Sequence, residues 1–361
     1  MHSKPGGMSA TSIALIALLA FGCRAPLNTE SPPPDEIETS LFLIGDAGEP
    51  DPRDVGVPLE SLTAHVAEAP GKSIVLFLGD NVYPDGIPEE GHAEFADARR
   101  RLEAQVSAIP DGARAIFIPG NHDWASELAY GLFAVRRQEQ LISAMARGRD
   151  IRMLPGNGCP GPVALDIGRL RLIVLDTQWW LHGYIVRDSL SRCSATTMGQ
   201  VTAELRRQVT VPDGHVVVVS GHHPLMTGGE HGGYCGVTGP FRRFAGRAQD
   251  VLGGINRRMR DSLELAFSAK PPLLYAAGHD HSLQVLHGGK NVKFLVVSGA
   301  GAQSKGSCVV TLRESLYTSP RRSGFMRLDV MRGGGALLRV YRYSAIGSGG
   351  LSFSTWLEER P

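Results

Sequence analysis

The chain has 361 residues, 42% of them hydrophobic, with 37 Lys and Arg against 36 Asp and Glu and a formal net charge of +1. Such a length supports one large domain or two ordinary ones around a sizeable core. The balanced charge excludes a global field that would gather nucleic acid or an anionic membrane, so no nucleic-acid partner is expected and recognition must be local.

The chain opens on a segment that reads as a secretory signal rather than as part of the fold. Lys4 supplies positive charge, Thr11 to Phe21 is an almost unbroken apolar run, and no acidic residue precedes Glu30. The run is too short for a membrane-spanning helix. Its end, Leu18-Leu19-Ala20-Phe21-Gly22-Cys23, resembles a bacterial lipobox with Ala20 where Leu is usual, which implies a lipidated Cys23 in the cell envelope. Arg24 stands where Asp would signal inner-membrane retention, so the outer membrane is the expected anchor, with periplasm or secretion as the alternative. Residues 23–40, with Ser31-Pro32-Pro33-Pro34, read as a tether behind the signal at 1–22. The folded domain is expected over 41–345 and a tail over 346–361. Beyond Cys23 stand Cys159, Cys193, Cys235 and Cys308; export permits disulfides among them, and all three pairings stay open. No C-x-x-C pair exists, which argues against a structural zinc knuckle.

From Leu41, apolar runs alternate with amphipathic segments and several stop at a Gly followed by a polar residue, the rhythm of an α/β sheet. Leu41–Ile44 ends at Gly45-Asp46-Ala47-Gly48, a helix is expected over 59–67, and Ser73–Leu78 ends at Gly79-Asp80-Asn81-Val82-Tyr83. An Arg-rich helix over 93–106 precedes Arg114–Ile118, which ends at Gly120-Asn121-His122-Asp123; a long helix over 127–146 follows. Val163–Ile167 and Leu170–Leu175 form a hairpin that starts a second sheet and leads to Trp179-Trp180, which read as packing. After a helix over 198–208, His215–Val219 ends at Gly221-His222-His223. The loop Thr227 to Gly233 is too polar and flexible for a core element and is of the kind that lies over active sites. A helix is expected over 250–267; Leu273–Ala277 then ends at Gly278-His279-Asp280-His281, and Phe294–Val297 ends at Ser298-Gly299. Phe325–Met331 and Ala336–Tyr343 form a closing hairpin. The helical arginines Arg99-Arg100-Arg101, Arg136-Arg137 and Arg257-Arg258 read as solvated faces.

Ligands of α/β sheets bind outside the carboxyl ends of the strands, so Asp46, Asp80, Tyr83, Asn121, His122, His222, His279 and His281 can converge although the chain separates them. Carboxylate, imidazole, phenol and amide without thiolate suit Fe, Mn or Zn better than Ca or Mg. One aspartate can bridge a pair of ions about 3.5–4 Å apart, the spacing of two-metal phosphate-ester hydrolysis.

The ordered blocks Gly-Asp-x-Gly, Gly-Asp-x-x-Tyr, Gly-Asn-His-Asp, Gly-His-x-Pro and Gly-His-x-His resemble the calcineurin-like metallophosphoesterases. Tyr83 and Gly278-His279-Asp280-His281-Ser282-Leu283-Gln284 place the chain near the small purple acid phosphatases. The resemblance implies a four-layer α/β/β/α sandwich. It implies Fe(III) on Asp46, Tyr83, His281 and a bridging Asp80, and Fe(II), Zn or Mn on Asp80, Asn121, His222 and His279. It implies hydrolysis of phosphate monoesters by a metal-bound hydroxide, with His122 contacting the phosphate and His231, in Glu230-His231-Gly232, as a second catalytic histidine able to act as the acid. Asp123 is expected to orient His122 or Asn121, and His223 is left outside the site. A phosphodiesterase of the same superfamily is the first competitor, and an envelope lipoprotein that binds phosphate or a partner without catalysis is the second.

Overall fold

The computed structural model describes residues 2, 31–49, 57–182, 192–235, 247–302, 307–344 and 348–359. Residues 3–30, which hold most of the expected signal and Cys23, lie outside that description.

Short runs rich in Val, Ile and Leu form strands buried on both faces, as parallel strands between two layers must be. In chain order the first are β1 (Ile37–Ile44), β2 (Ser73–Phe77), β3 (Arg114–Phe117) and β4 (Ile151–Met153). Between them lie the helices α1 (Val57–Ala67), α2 (Phe95–Ser107) and α3 (Gly131–Ala146). The chain continues through β5 (Val163–Ile167), β6 (Leu170–Val174), the short α4 (Gln178–Leu181), α5 (Met198–Val209) and β7 (Val216–Ser220). Next come α6 (Gly254–Phe267), β8 (Leu274–Ala277), β9 (Leu283–His287), β10 (Phe294–Ser298) and β11 (Ser315–Ser319). The last strands are β12 (Ser323–Met331), β13 (Ala336–Tyr343) and β14 (Gly349–Glu358).

These strands form two seven-stranded sheets, ordered β14-β13-β12-β1-β2-β3-β4 and β11-β9-β10-β8-β7-β6-β5. The centre of each sheet is parallel: β1 to β4 in one, and β6, β7, β8 and β10 in the other. Alternate residues then sort into layers. Leu41, Leu43, Ile74 and Leu76 of the first sheet pack between the sheets with Leu172, Val218, Leu274 and Val296 of the second. Their neighbours Phe42, Val75 and Phe77 face outward under α1 to α3, whereas Ile173, Val217, Val219 and Tyr275 face α5 and α6. The result is an α/β/β/α sandwich whose parallel strands all deliver their carboxyl ends to one edge. Among the described residues no helix is long and apolar enough to cross a membrane.

Two boundaries differ from the sequence expectation. The strand that leads to Asp46 starts at Ile37, four residues inside the expected tether, because Ile37 and Thr39 pair with β12. The expected C-terminal tail contains β14, which pairs along β13. Gly349-Gly350-Leu351-Ser352-Phe353-Ser354 has the weak alternation of a half-exposed edge strand and offers no apolar run to the eye.

The outer face of β1, β12 and β13 holds a buried charge cluster. Asp329, 0% exposed, accepts from Ser40 Oγ at 2.6 Å, from Arg327 Nε at 2.7 Å and from Arg339 Nη2. Removing the carboxylate takes the buried counter-charge from two guanidinium groups in a poorly hydrated place and leaves Arg327 only the more distant Glu68, at 3.5 Å. Asp329→Ala is expected to destabilise the fold by about 3–5 kcal/mol, measured by urea unfolding; a loss under about 1 kcal/mol contradicts this reading.

Candidate metal centre

The two sheets join at their carboxyl edge, where Gly45 N donates to Ser298 O at 2.7 Å and Gly301 N to Gly45 O at 2.9 Å. The glycines of the motifs let the strand ends approach. A Cβ at Gly120 would lie 2.2 Å from Asp80 Oδ1, and one at Gly79, whose φ is +92°, would lie 2.5 Å from His222 Nδ1. Asp46, Asp80 and His279 themselves take φ values of 58°, 54° and 70°. Left-handed backbone at a residue with a Cβ costs on the order of 1 kcal/mol each, and strain of this kind gathers at functional sites.

Hydrogen bonds set which nitrogen of each histidine faces the centre. His222 Nδ1–H donates to the Leu78 carbonyl at 2.8 Å and His279 Nε2–H to the Gln249 carbonyl at 3.1 Å. A carbonyl only accepts, so each neutral ring turns a lone pair the other way. Those lone pairs meet: His279 Nδ1 is 3.2 Å from His222 Nε2, and both lie 3.0 Å from Asn121 Oδ1. Asp80 Oδ2 stands 3.3 Å from His222 Nε2. Asn121 Oδ1, His222 Nε2 and His279 Nδ1 thus crowd within 3.2 Å of one another with Asp80 beside His222, an arrangement that a cation would satisfy. The electrostatics agree. Burial opposes a charged His222, yet Asp80 and Asp46 push it up to about 9, so a proton takes the cation's part. Burial, together with His231, His223 and His222, pulls His279 well below the usual imidazole range and keeps its lone pair free.

Tyr83 centres a second cluster. Its hydroxyl lies 3.1 Å from Asp46 Oδ1, 3.2 Å from Asp80 Oδ2 and 3.1 Å from His281 Nε2, so two carboxylates and an imidazole gather on one phenol. Burial and the charges of Asp46 and Asp80 push the phenol well above its usual range, so a cation beside it is what would ionise it. Asp80 Oδ2 belongs to both clusters. The residues present therefore fit two ions that share Asp80, the Tyr83 side richer in negative charge and the His279 side richer in neutral donors.

His122 and His231 flank the two clusters. His122 donates its backbone N–H to Asp80 Oδ1 at 2.9 Å and lays its ring 4.4 Å from that of Tyr83. The His231 ring lies 3.9 Å from that of His279. Its Nδ1–H donates to Asp250 Oδ1 at 3.0 Å, and its backbone is tied to Asp280 Oδ1 and to Val251 N. Every residue nominated from the sequence thus lies at this edge.

Several supporting residues differ from expectation. Asp123 does not orient His122 or Asn121; its carboxylate accepts from the backbone N–H groups of Asn81, Val82 and Gly120 and from Asn81 Nδ2, which pins the loop that carries Asp80. The helix expected from Asp250 begins at Gly254, and the turn ahead of it aims Gln249 and Asp250 at the histidines. The available signal was Gly253-Gly254, a pair that a helix interior holds only at a cost. Thr227, Gly228 and Gly229 are buried rather than loose: Thr227 Oγ1 donates to Asp280 Oδ2, and Gly228 N donates to Gln284 Oε1 at 2.9 Å. Arg101 is not a free surface cation, since it donates to the Tyr83 carbonyl at 3.3 Å. His223 sits within ligand distance of His222 and His279, but its Nδ1 is taken by Thr177 Oγ1 at 2.9 Å and its Nε2 by Gln249 Oε1 at 2.6 Å. Of the three open pairings, the disulfides are Cys159–Cys193 and Cys235–Cys308. The second ties the His231 loop to the segment whose Ser307 N donates to His281 O.

The fold is similar to that of GAP50, the anchor in the inner membrane complex of Plasmodium, with a TM-score of 0.59, 13% identity and 90% of each chain covered. It is also similar to purple acid phosphatase PPD1 from yellow lupin (Lupinus luteus) seeds, with a TM-score of 0.57 and 15% identity over 88% of this chain and 53% of that one. At such identities the likeness is one of fold. No curated protein matches the chain. The family model described as calcineurin-like phosphoesterase matches residues 43–283, from within β1 to the start of β9, and takes in every residue of both clusters. On that match the chain belongs to the calcineurin-like phosphoesterase family.

Proposed function

We propose that the protein is a dinuclear metal-dependent phosphatase for monoesters, of the purple acid phosphatase type. Asp46, Tyr83, His281 and Asp80 would hold Fe(III), and Asp80, Asn121, His222 and His279 would hold Fe(II), Zn or Mn. The observation that carries the reading is the crowding of Asn121 Oδ1, His222 Nε2 and His279 Nδ1, with Asp80 Oδ2 reaching from His222 to the Tyr83 hydroxyl, itself flanked by Asp46 and His281. Bound there, the ions would polarise the phosphoryl group and lower the pKa of water enough to supply hydroxide in acid.

The chain's own residues bind and orient the ester and move the proton. His122 stands on the Tyr83 side and His231 on the His279 side, so a phosphate spanning both clusters meets an imidazole at each end. Asp250 fixes the Nδ1 proton of His231 and leaves Nε2 for the leaving oxygen, the placement a general acid needs. His281 and His231, with side chains 26% and 25% exposed, mark with half-buried His122 the open rim of the centre.

The likeness to a membrane-complex anchor supports a second reading, in which the fold binds a partner without catalysis. A complete set of converging donors favours the enzyme, since a scaffold gains nothing from burying unpaired acceptors. A chromogenic monoester and the matching bis-ester decide among the readings. A kcat/KM at least about tenfold higher on the monoester is expected. Preference for the bis-ester makes the protein a diesterase, and metal-replete protein inert to both supports the anchor reading.

A further inference from the structure

The loop from β3 to α3 holds two consecutive residues in left-handed backbone, Ala125 at φ 53° and Ser126 at φ 49° and ψ 43°. Glycine or asparagine takes such positions at little cost, and other residues stay there only for a reason. For Ala125 the reason is packing, since it is 0% exposed. Ser126 is exposed, so no buried contact accounts for its side chain.

What the Ser126 hydroxyl does touch is the group that holds His122. Ser126 Oγ donates to the Pro84 carbonyl at 3.2 Å and lies 3.3 Å from His122 Nδ1. The same carbonyl accepts from His122 Nδ1–H at 2.5 Å. A carbonyl oxygen has two lone pairs, and here one is filled by the imidazole and the other by the hydroxyl. Ser126 thereby takes the Pro84 O lone pair that water would otherwise fill and lies against the Nδ1 edge of the ring. The ring's face is against Tyr83. With Nδ1 engaged and one face covered, His122 has its Nε2 edge left to offer to a ligand.

We propose that Ser126 is a positioning residue for His122, kept in unfavourable backbone because its hydroxyl completes the Pro84 carbonyl and fixes the ring. The proposal rests on the reading of His122 as a phosphate-contacting group.

The test is a double-mutant cycle with Ser126→Ala, Ser126→Gly and His122→Ala, reading kcat on a chromogenic monoester, inorganic phosphate affinity by calorimetry, metal content and Tm. Each Ser126 variant is expected to lower kcat and weaken phosphate binding by about 3- to 10-fold with metal content unchanged. Ser126→Gly is expected to melt no lower than the wild type, because glycine accepts the left-handed backbone. In the His122→Ala background the Ser126 changes should have no further effect, which a merely structural role would not produce. Equal losses in both backgrounds overturn the proposal, as does a His122→Ala loss that the Ser126 variants do not share. If His122→Ala itself changes neither kcat nor phosphate affinity, the role of His122 falls and the positioning role falls with it.

Discussion

Asp80→Ala is expected to lower phosphoester hydrolysis on the order of 10³-fold and to leave the purified protein short of metal. Asp80 is 1% exposed, and its two oxygens are spent differently. Oδ1 accepts the His122 backbone N–H at 2.9 Å, while Oδ2 stands 3.2 Å from Tyr83 Oη and 3.3 Å from His222 Nε2, on the line between the clusters. Against the penalty of burial, His222 and His122 hold this carboxyl well below the usual carboxylate range, which favours its charged form. Alanine removes the one negative charge that both clusters share and frees the His122 backbone as well. Asp80→Asn separates the two effects, because its amide oxygen keeps an acceptor for His122 while the charge and the second oxygen between the clusters are lost. Steady-state kinetics with metal analysis checks both variants, and wild-type turnover in Asp80→Ala would show that the carboxylate bridges nothing.

Tyr83→Phe is expected to remove all visible charge-transfer absorption from the iron-loaded protein and to weaken the metal on that side by about 10- to 100-fold. The phenol is 7% exposed, and burial with Asp46 and Asp80 pushes it far towards the protonated form. Only an adjacent cation reverses that, so colour should appear with iron and vanish on its removal. Phenylalanine fills the same space and leaves Asp46, Asp80 and His281 in place. Folding is therefore expected to persist while the spectrum is lost. Absorption measured on matched wild type and variant checks it, and an unchanged band would take the phenolate out of the first coordination set.

The parts of the molecule legible in the sequence are those where chemistry and backbone coincide in a few consecutive residues. Gly79-Asp80 and Gly120-Asn121 could be read because the glycine answers to a close approach and the next residue to the candidate centre. The parallel strands could be read because both of their faces are buried and the runs are continuous. What escaped is support delivered from a distance. Asp123 looked like a neighbour of His122, yet it reaches back to Asn81 and Val82, residues 42 and 41 positions away. Asp250 serves His231 from a turn with no motif, and Asp280 pins the glycine-rich loop from inside a block where His279 and His281 drew the attention. Gly349 to Glu358 escaped because an edge strand, half exposed, carries little hydrophobic signal.

The most direct test of the centre is metal analysis of the purified protein joined to a phosphomonoesterase assay before and after chelation. Two metal ions per chain are expected, with iron among them. Activity should disappear as they are stripped and return on reloading. Full hydrolysis of the monoester by protein free of metal would contradict the account at its core.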